Sequence, residues 1–388
     1  MASSADPEAR KQVHALAPHA PSSAGRIVFR TREDLPATIA AWDALADQAS
    51  EPNPFFESWY LLPGLRAFRD TSAEILCFEE GGVLRGLMPI VRRKDYYGWP
   101  LPNLSNWLHP NCFLGVPLVA AGSEVPFWQA LLGWADSNAG LALFLHLQLQ
   151  TIGGPMHAAL EGVFAAQDRR AEIVLSEERA MLESGLSAQA YWEASLSGKK
   201  RKELRRQANR LAELGDLQFE RHQNADDLEP WTDRFLALEA AGWKGKAGSA
   251  LASSPETERL FRQSLAGAAE RGRLERLSLS LDGVPIAMLA SFMTPPGAFS
   301  FKTAFDEDYA RFSPGVLLQQ RNLAVLDRCD IAWSDSCASA DHPMIDHIWR
   351  ERRRVGHLSI AIGGALRRAA FGRIVNFELA RKQREAQG

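Results

Sequence analysis

Apolar and polar positions follow the same rhythm twice along this chain. Ile27-Val28-Phe29-Arg30 reads as a short strand. Glu33-Asp34-Leu35-Pro36 then opens a helix, because carboxylates favour a helix N-terminus and proline suits its first turn. Trp42, Leu45 and Ala46 follow at helical spacing. Far downstream the order returns: Leu217–Arg221 as a strand, Asp226-Asp227-Leu228-Glu229-Pro230 as a helix start, then Trp231, Phe235 and Leu238.

The strands that follow also come in parallel sets. Glu74–Phe78 and Val83–Ile90 flank Gly81-Gly82, a two-residue hairpin signal. In the second half, Leu277, Leu279 and Leu281 alternate with Ser278 and Ser280, and Asp282-Gly283 turns the chain into Val284–Phe292. Pro295-Pro296-Gly297 turns it again into Phe299–Phe305. Each half closes with a helix and a strand: Phe127–Asn138 with Leu141–Leu149, and Pro314–Arg328 with Ile331–Ser336. The pattern predicts an α+β (mixed α/β) chain of two like units, each a mixed, mostly antiparallel sheet flanked by helices. Glu183-Ser184-Gly185-Leu186-Ser187 interrupts it, so we expect a tail over 1–25, one domain over 26–185 and a second over 186–388.

Composition adds exclusions. The 388 residues are 46% hydrophobic and 23% charged, values of an ordinary globular protein. No apolar run is long enough for a membrane span. Four cysteines without zinc-site spacing argue against a disulfide scaffold or a metal site, and for a reducing, cytoplasmic setting. Residues 1–25 lack the apolar stretch of a signal peptide and read as a flexible tail. The net charge of −3 argues against a general nucleic-acid coat protein.

That balance hides a basic helix. From Ser197 to Gly215, Leu204, Ala208, Leu211 and Leu214 share one face, with Gly215 as its C-terminal cap. Lys199, Lys202, Arg205, Arg206 and Arg210 lie on the opposite arc, interrupted only by Glu203. Such a run is either a solvated face or a clamp for a phosphate-rich partner. Ser313-Pro314-Gly315 is a good helix start, and free N–H groups there can hold a pyrophosphate. Glu239-Ala-Ala-Gly-Trp-Lys-Gly-Lys246 sets Trp243 and Lys244 just past a helix capped by Gly242. His342 and Asp346 stand at a His-x-x-x-Asp spacing that decides nothing by itself. Gly-x-Ser-x-Gly, Gly-Lys-Ser/Thr and His-Glu-x-x-His motifs are absent, which removes the main support for hydrolase, P-loop and zinc-protease readings.

Taken together, these segments resemble the GNAT acyltransferase superfamily, in the branch of CelD-like and FemAB-type proteins. The basic helix 199–206, the Glu239–Gly245 segment, the Asp282-Gly283 hairpin and Phe301-Lys302 through Asp306 and Tyr309 to Ser313-Pro314-Gly315 carry the resemblance, which Asp335, Asp346 and Trp349 continue. It implies two tandem GNAT-like units and transfer of an acyl group, from acyl-CoA such as acetyl-CoA, to an amine. An aminoacyl-tRNA donor, as in FemAB-type enzymes, or a non-catalytic role in polysaccharide biosynthesis are the alternatives. In typical members a Gln/Arg-x-x-Gly-x-Gly/Ala loop holds the coenzyme A pyrophosphate. The corresponding place here is Arg311, Phe312, Ser313, Pro314, Gly315 and Val316, with one glycine.

An acceptor must lose a proton as it attacks, and the developing oxyanion needs a donor. The candidate bases are Glu239, Asp335 and His342, with Tyr309 protonating the leaving group and Lys302 or a strand N–H polarising the carbonyl. Trp243, Lys244, Phe305 and Asp306 are expected at the substrate, which is a small-molecule, glycan or peptide amine. Lys199, Arg205 and Arg206 would meet a tRNA. No metal is expected.

Overall fold

A computed structural model describes residues 25–385, apart from 32, 341 and 343. The expected tail, 1–25, lies outside the described residues except for Gly25. The first half runs β1 (Arg26–Arg30), α1 (Leu35–Asp47), α2 (Ser58–Phe68), β2 (Glu74–Glu80), β3 (Val83–Arg93), β4 (Asn103–Asn106), β5 (Leu118–Val119), α3 (Glu124–Asn138), β6 (Phe144–Thr151), α4 (Pro155–Gln167) and β7 (Ala171–Leu182). Two connecting helices follow, α5 (Ala188–Ser195) and α6 (Gly198–Ala212). The second half runs β8 (Leu217–His222), α7 (Leu228–Ala241), α8 (Trp243–Lys246), α9 (Pro255–Glu270), β9 (Leu274–Leu281), β10 (Val284–Thr294), β11 (Gly297–Phe305), α10 (Pro314–Asn322), β12 (Trp333–Asp335), β13 (Glu351–Ala361) and α11 (Ala365–Glu385).

The predicted repeat is present in the element order. Both halves go strand, helices, meander, helix, strand, with the short α8 added to the second. Both hairpins have the turn their residues demand: Gly81 and Gly82, and Asp282 and Gly283, all have positive φ, as a two-residue turn matched to strand twist requires. The buried indoles of Trp42 and Trp231 sit on the equivalent helices and donate to Phe56 O and Ser278 Oγ.

All the strands join in a single mixed sheet, ordered β1-β2-β3-β4-β6-β13-β7-β12-β11-β10-β9-β8, with β5 paired to β3. Two pairings are parallel, β4 with β6 and β11 with β12, and the rest are antiparallel. The two middle strands cross between halves. β13, from the end of the chain, lies beside β6, while β7, from the first half, lies beside β12. Among the described strands, only β1, β8 and the two-residue β5 have a partner on one side alone.

Some local expectations change. Gly215 is not the cap of α6; Glu213 holds that place. Gly215 is needed instead because a Cβ there would sit 2.2 Å from the Asp282 carboxylate, which accepts from Asp216 N at 2.8 Å. Leu214 is exposed, whereas Leu204 and Leu211 are buried as the spacing predicts. The last helix of the repeat ends as an α-helix at Asn322, and its strand shortens to Trp333–Asp335.

Candidate active site

A parallel pair without a continuous ladder leaves backbone groups unpaired beyond its last rung. β11 pairs with β12 only through Gly297, Ala298 and Phe299, opposite Trp333, Ser334 and Asp335. Residues 300–305 of β11 then run on while the chain after β12 turns away. A cavity of about 670 Å³ fills the divergence. Its walls include Phe301, Lys302 and Phe305 of β11, Ser336 and Cys337 after β12, and Glu239, Trp243 and Lys244 from α7 and α8. His342, Met344 and Ile345 close another side.

α8 reaches the cavity because it folds back on α7. A Cβ at Gly245 would lie 1.8 Å from Ala240 O, so only glycine allows that approach. Lys244 Nζ then bonds Glu239 Oε1 at 2.7 Å and lies 3.4 Å from Thr303 O. Glu239 Oε2 accepts from Leu251 N at 2.8 Å. With an ammonium on one oxygen and an amide on the other, Glu239 holds α8 in place.

Lys302 is the cavity's most perturbed cation. Its ammonium donates to Asn111 Oδ1 at 2.7 Å and lies over the rings of Phe113 and Phe301 at 5.0 and 5.5 Å. Burial, and then the charge of Lys244, push its pKa down to about 8. Asn111 and Phe113 belong to the first half, so that half builds part of this site. Tyr60 fixes the loop by donating to Asn111 O at 2.6 Å. Residue spacing gave no sign of these two, because they meet Lys302 only through the tertiary fold.

Asp335 is corrected as a base. It is fully buried, and Oδ2 accepts from Arg179 at 2.7 Å and Arg353 at 3.0 Å, while Oδ1 accepts from Cys337 N at 2.9 Å. Burial would raise its pKa, but the two guanidiniums override that and hold it below the usual carboxylate range. It is an ionised clamp at the seam between the halves. Tyr309 is also corrected: it packs on the Leu211, Leu279 and Phe312 cluster and does not line the cavity. His342 does line it, and burial followed by the charge of Lys244 lowers its pKa, so the imidazole is neutral at pH 7.

The remaining expected residues divide. Phe305, Trp243 and Lys244 are at the cavity. Asp306 caps the next turn through Asp308 N, at 2.9 Å. Arg311 is exposed over Phe312, and Gln207 of α6 donates to its carbonyl at 3.1 Å. Ser313 takes the left-handed conformation at the N-cap of α10 and makes no side-chain cap bond. Val316 N and Leu317 N both donate to Ser313 O, at 3.0 and 3.1 Å. A Cβ on Gly315 would lie 2.2 Å from Met344 Sδ, so that side chain covers the glycine a pyrophosphate would approach. Lys199, Arg205 and Arg206 are exposed on α6 and stand outside the cavity. Arg205 instead lines a groove of about 440 Å³ between α5, α6 and α10. Among the described residues, no group of three or more His, Cys, Asp or Glu could hold a metal ion.

The first half has the same divergence in a sealed form. β4 pairs with β6 through Leu104 and Ser105 only. One residue further, Asn106 Oδ1 accepts from Gln148 N at 2.8 Å, and its Nδ2 donates to Gln148 O at 2.9 Å and Gly115 O at 3.1 Å. Gln150 Nε2 adds a bond to Gly115 O at 2.7 Å, and a Cβ at Gly115 would sit 2.1 Å from Gln148 O. No space for a ligand arm is left there.

Residues 198–332 match the model of the acetyltransferase (GNAT) domain family. No curated protein matches the sequence. Among solved structures, FemX is similar at 10% identity and a TM-score of 0.53, over 86% of this chain and 96% of that one. The C-terminal domain of a chain described as a lysylphosphatidylglycerol synthetase, from Agrobacterium fabrum, is similar at 13% identity and TM-score 0.51, over 87% and 95%. A protein of unknown function from Bacteroides thetaiotaomicron gives 11% identity and TM-score 0.53, over 86% and 99%. At such identities the likeness is one of fold. The match over residues 198–332 and the likeness of the whole chain to FemX agree on a GNAT-type acyltransferase fold.

Proposed function

We propose that the cavity between β11 and β12 moves an acyl group from acyl-CoA to an amine, by direct attack on the thioester. The observation that carries this is the open divergence with Lys302 on its wall, against the sealed one in the first half. The free edge of 300–305 offers backbone groups to an extended arm, as strand edges do for added chains. The cavity has the size of a small-molecule site.

Residues on the wall divide the chemistry. Lys302 donates a hydrogen bond to the carbonyl oxygen as negative charge develops on it. His342, neutral at pH 7, takes the proton that the amine sheds as its C–N bond forms. The C–S bond then breaks and the thiolate leaves. Phe301, Phe305 and Trp243 give the acyl group an apolar wall. The residues fit the thioester arm better than the pyrophosphate, since Met344 covers Gly315.

That covered glycine, with the exposed cations of α6 beside the start of α10, favours a second reading: an aminoacyl-tRNA donor. The two donors separate by titration. Calorimetry with a panel of acyl-CoA thioesters is expected to show binding that Lys302→Ala weakens. If none binds to folded protein while tRNA does, and Lys199→Ala with Arg205→Ala and Arg206→Ala releases it, the second reading replaces the first. tRNA binding should also fall steeply with salt. The acceptor is an amine, which a turnover screen of small, glycan and peptide amines identifies.

A further inference from the structure

The C-terminal helix and the loops beside it form a face that acyl transfer leaves unused. On α11, Leu366, Arg373, Phe377 and Arg384 are spaced so that they fall within about 40° of one another around the helix. The opposite face fixes that stripe outward, because Phe371 and Val375 are buried with Phe144, Tyr96 and Ala361. Leu366 is 91% exposed and Phe377 55%.

Two loops extend the same face. Trp99, 47% exposed, stands edge-on to Phe377 with ring centroids 6.1 Å apart. Arg367 Nη2 donates to Gly140 O at 2.8 Å, which brings the turn carrying Leu141, 86% exposed, beside the first turn of α11. Between helix and loop lies a slot of about 320 Å³, walled by Tyr97, Trp99, Leu101, Ile374 and Phe377, with Arg373 beside them.

The exposure of Tyr97 is built into the loop. Its φ of 48° is a conformation that bulky residues rarely take. Its hydroxyl lies 2.6 Å from His357 Nδ1 and 3.2 Å from His146 Nε2, which holds the ring half in solvent. Burial keeps both imidazoles neutral, pushing them down to about 4 and about 3. The network therefore anchors the ring without adding charge to the face.

Aromatic rings, aliphatic tips and guanidiniums on one surface match the chemistry of a bilayer interface. Trp and Tyr favour the headgroup level, Leu and Phe reach the acyl chains, and Arg pairs with lipid phosphates. An RNA would use the rings and the cations but offers nothing to the exposed leucines. We propose that this face docks the protein onto a membrane surface rich in anionic lipids, with α11 lying along the interface. No helix among the described residues is long and apolar enough to cross a membrane, so the contact is peripheral.

Co-sedimentation of the full chain with vesicles of phosphatidylglycerol and phosphatidylcholine tests this. Binding is expected to the mixed vesicles, and to weaken with salt and on phosphatidylcholine alone. Leu366→Glu and Phe377→Glu should each lower partitioning by about tenfold or more, and Arg373→Glu by at least roughly fivefold. These side chains are exposed, and circular dichroism checks that the variants fold. A polarity-sensitive fluorophore at Leu366→Cys, with exposed Cys329 changed to Ser, should brighten on the same vesicles. Failure of the natural chain to bind anionic vesicles overturns the proposal. So does binding that the three substitutions leave unchanged, or their loss of RNA retention with vesicle binding intact.

Discussion

Two strand pairs in this molecule diverge in the same way, and one became core while the other became a cavity. The decision lies one residue past the last rung. In the first half that residue is Asn106, whose carboxamide mimics a peptide group and pairs with both backbone groups of Gln148. In the second it is Ser300, too short to cross, which faces Asn322 Nδ2 at 3.4 Å instead. The loop after β4 then folds back into its own gap through Gly115, and carries Phe113 to the wall of the other cavity and Asn111 to Lys302. On the proposed reading one open gap does the chemistry, and the sealed one lends it Phe113 and Asn111.

The seam between the copies is held by charge. Asp335, the last residue paired to β11, binds two buried guanidiniums; Asp335→Asn should cost about 3–5 kcal/mol by leaving them uncompensated, read by urea unfolding. A mere loss of turnover at unchanged stability would restore it as the base. Lys302→Ala should cut transfer by about 10²–10³-fold with little change in stability, which would separate the working gap from the sealed one. Asn106→Ala should destabilise by about 1–3 kcal/mol, since it orphans Gln148 N and leaves Gln148 O and Gly115 O only their bonds from Gln150 Nε2, yet spare turnover per folded molecule. Turnover lost in proportion to Lys302→Ala would instead make the sealed gap catalytic.

Acidity gives the smallest and sharpest test. The Lys302 ammonium is present below about pH 8, so activity should fall as pH rises through that value. Stability should move the other way. The folded state binds fewer protons than the unfolded chain between about 8 and the ordinary lysine value of 10.5, so stability rises across that window. Asn111→Leu removes the acceptor that favours the charged form and should move the activity limb down by roughly half a unit to one unit, whereas Asn111→Asp should move it up. A limb that stays fixed in both variants would detach Asn111 from Lys302.

Much of this architecture is legible in the chain because its causes are local. Alternating Leu and Ser over 277–281, the Gly81-Gly82 and Asp282-Gly283 turns, and the acidic Leu-Pro starts each specify an element within a few residues. The basic face of α6 was legible too, and Trp243, Lys244, Lys302, Phe305 and His342, singled out from the chain, line one cavity. Tyr309 and Asp335 were not, because a residue type at the end of an element does not say what it packs on.

The sequence by itself determined the elements, their repeat and the resemblance to acyltransferases, since period and turn chemistry act over short range. Only the tertiary structure decided which gap opens and what Lys302 touches. Asn106 meets Gln148 across 42 residues, and Lys302 meets Asn111 across 191. Contacts at such separation leave no periodic trace in a chain, because they exist only once the sheet has brought both ends together.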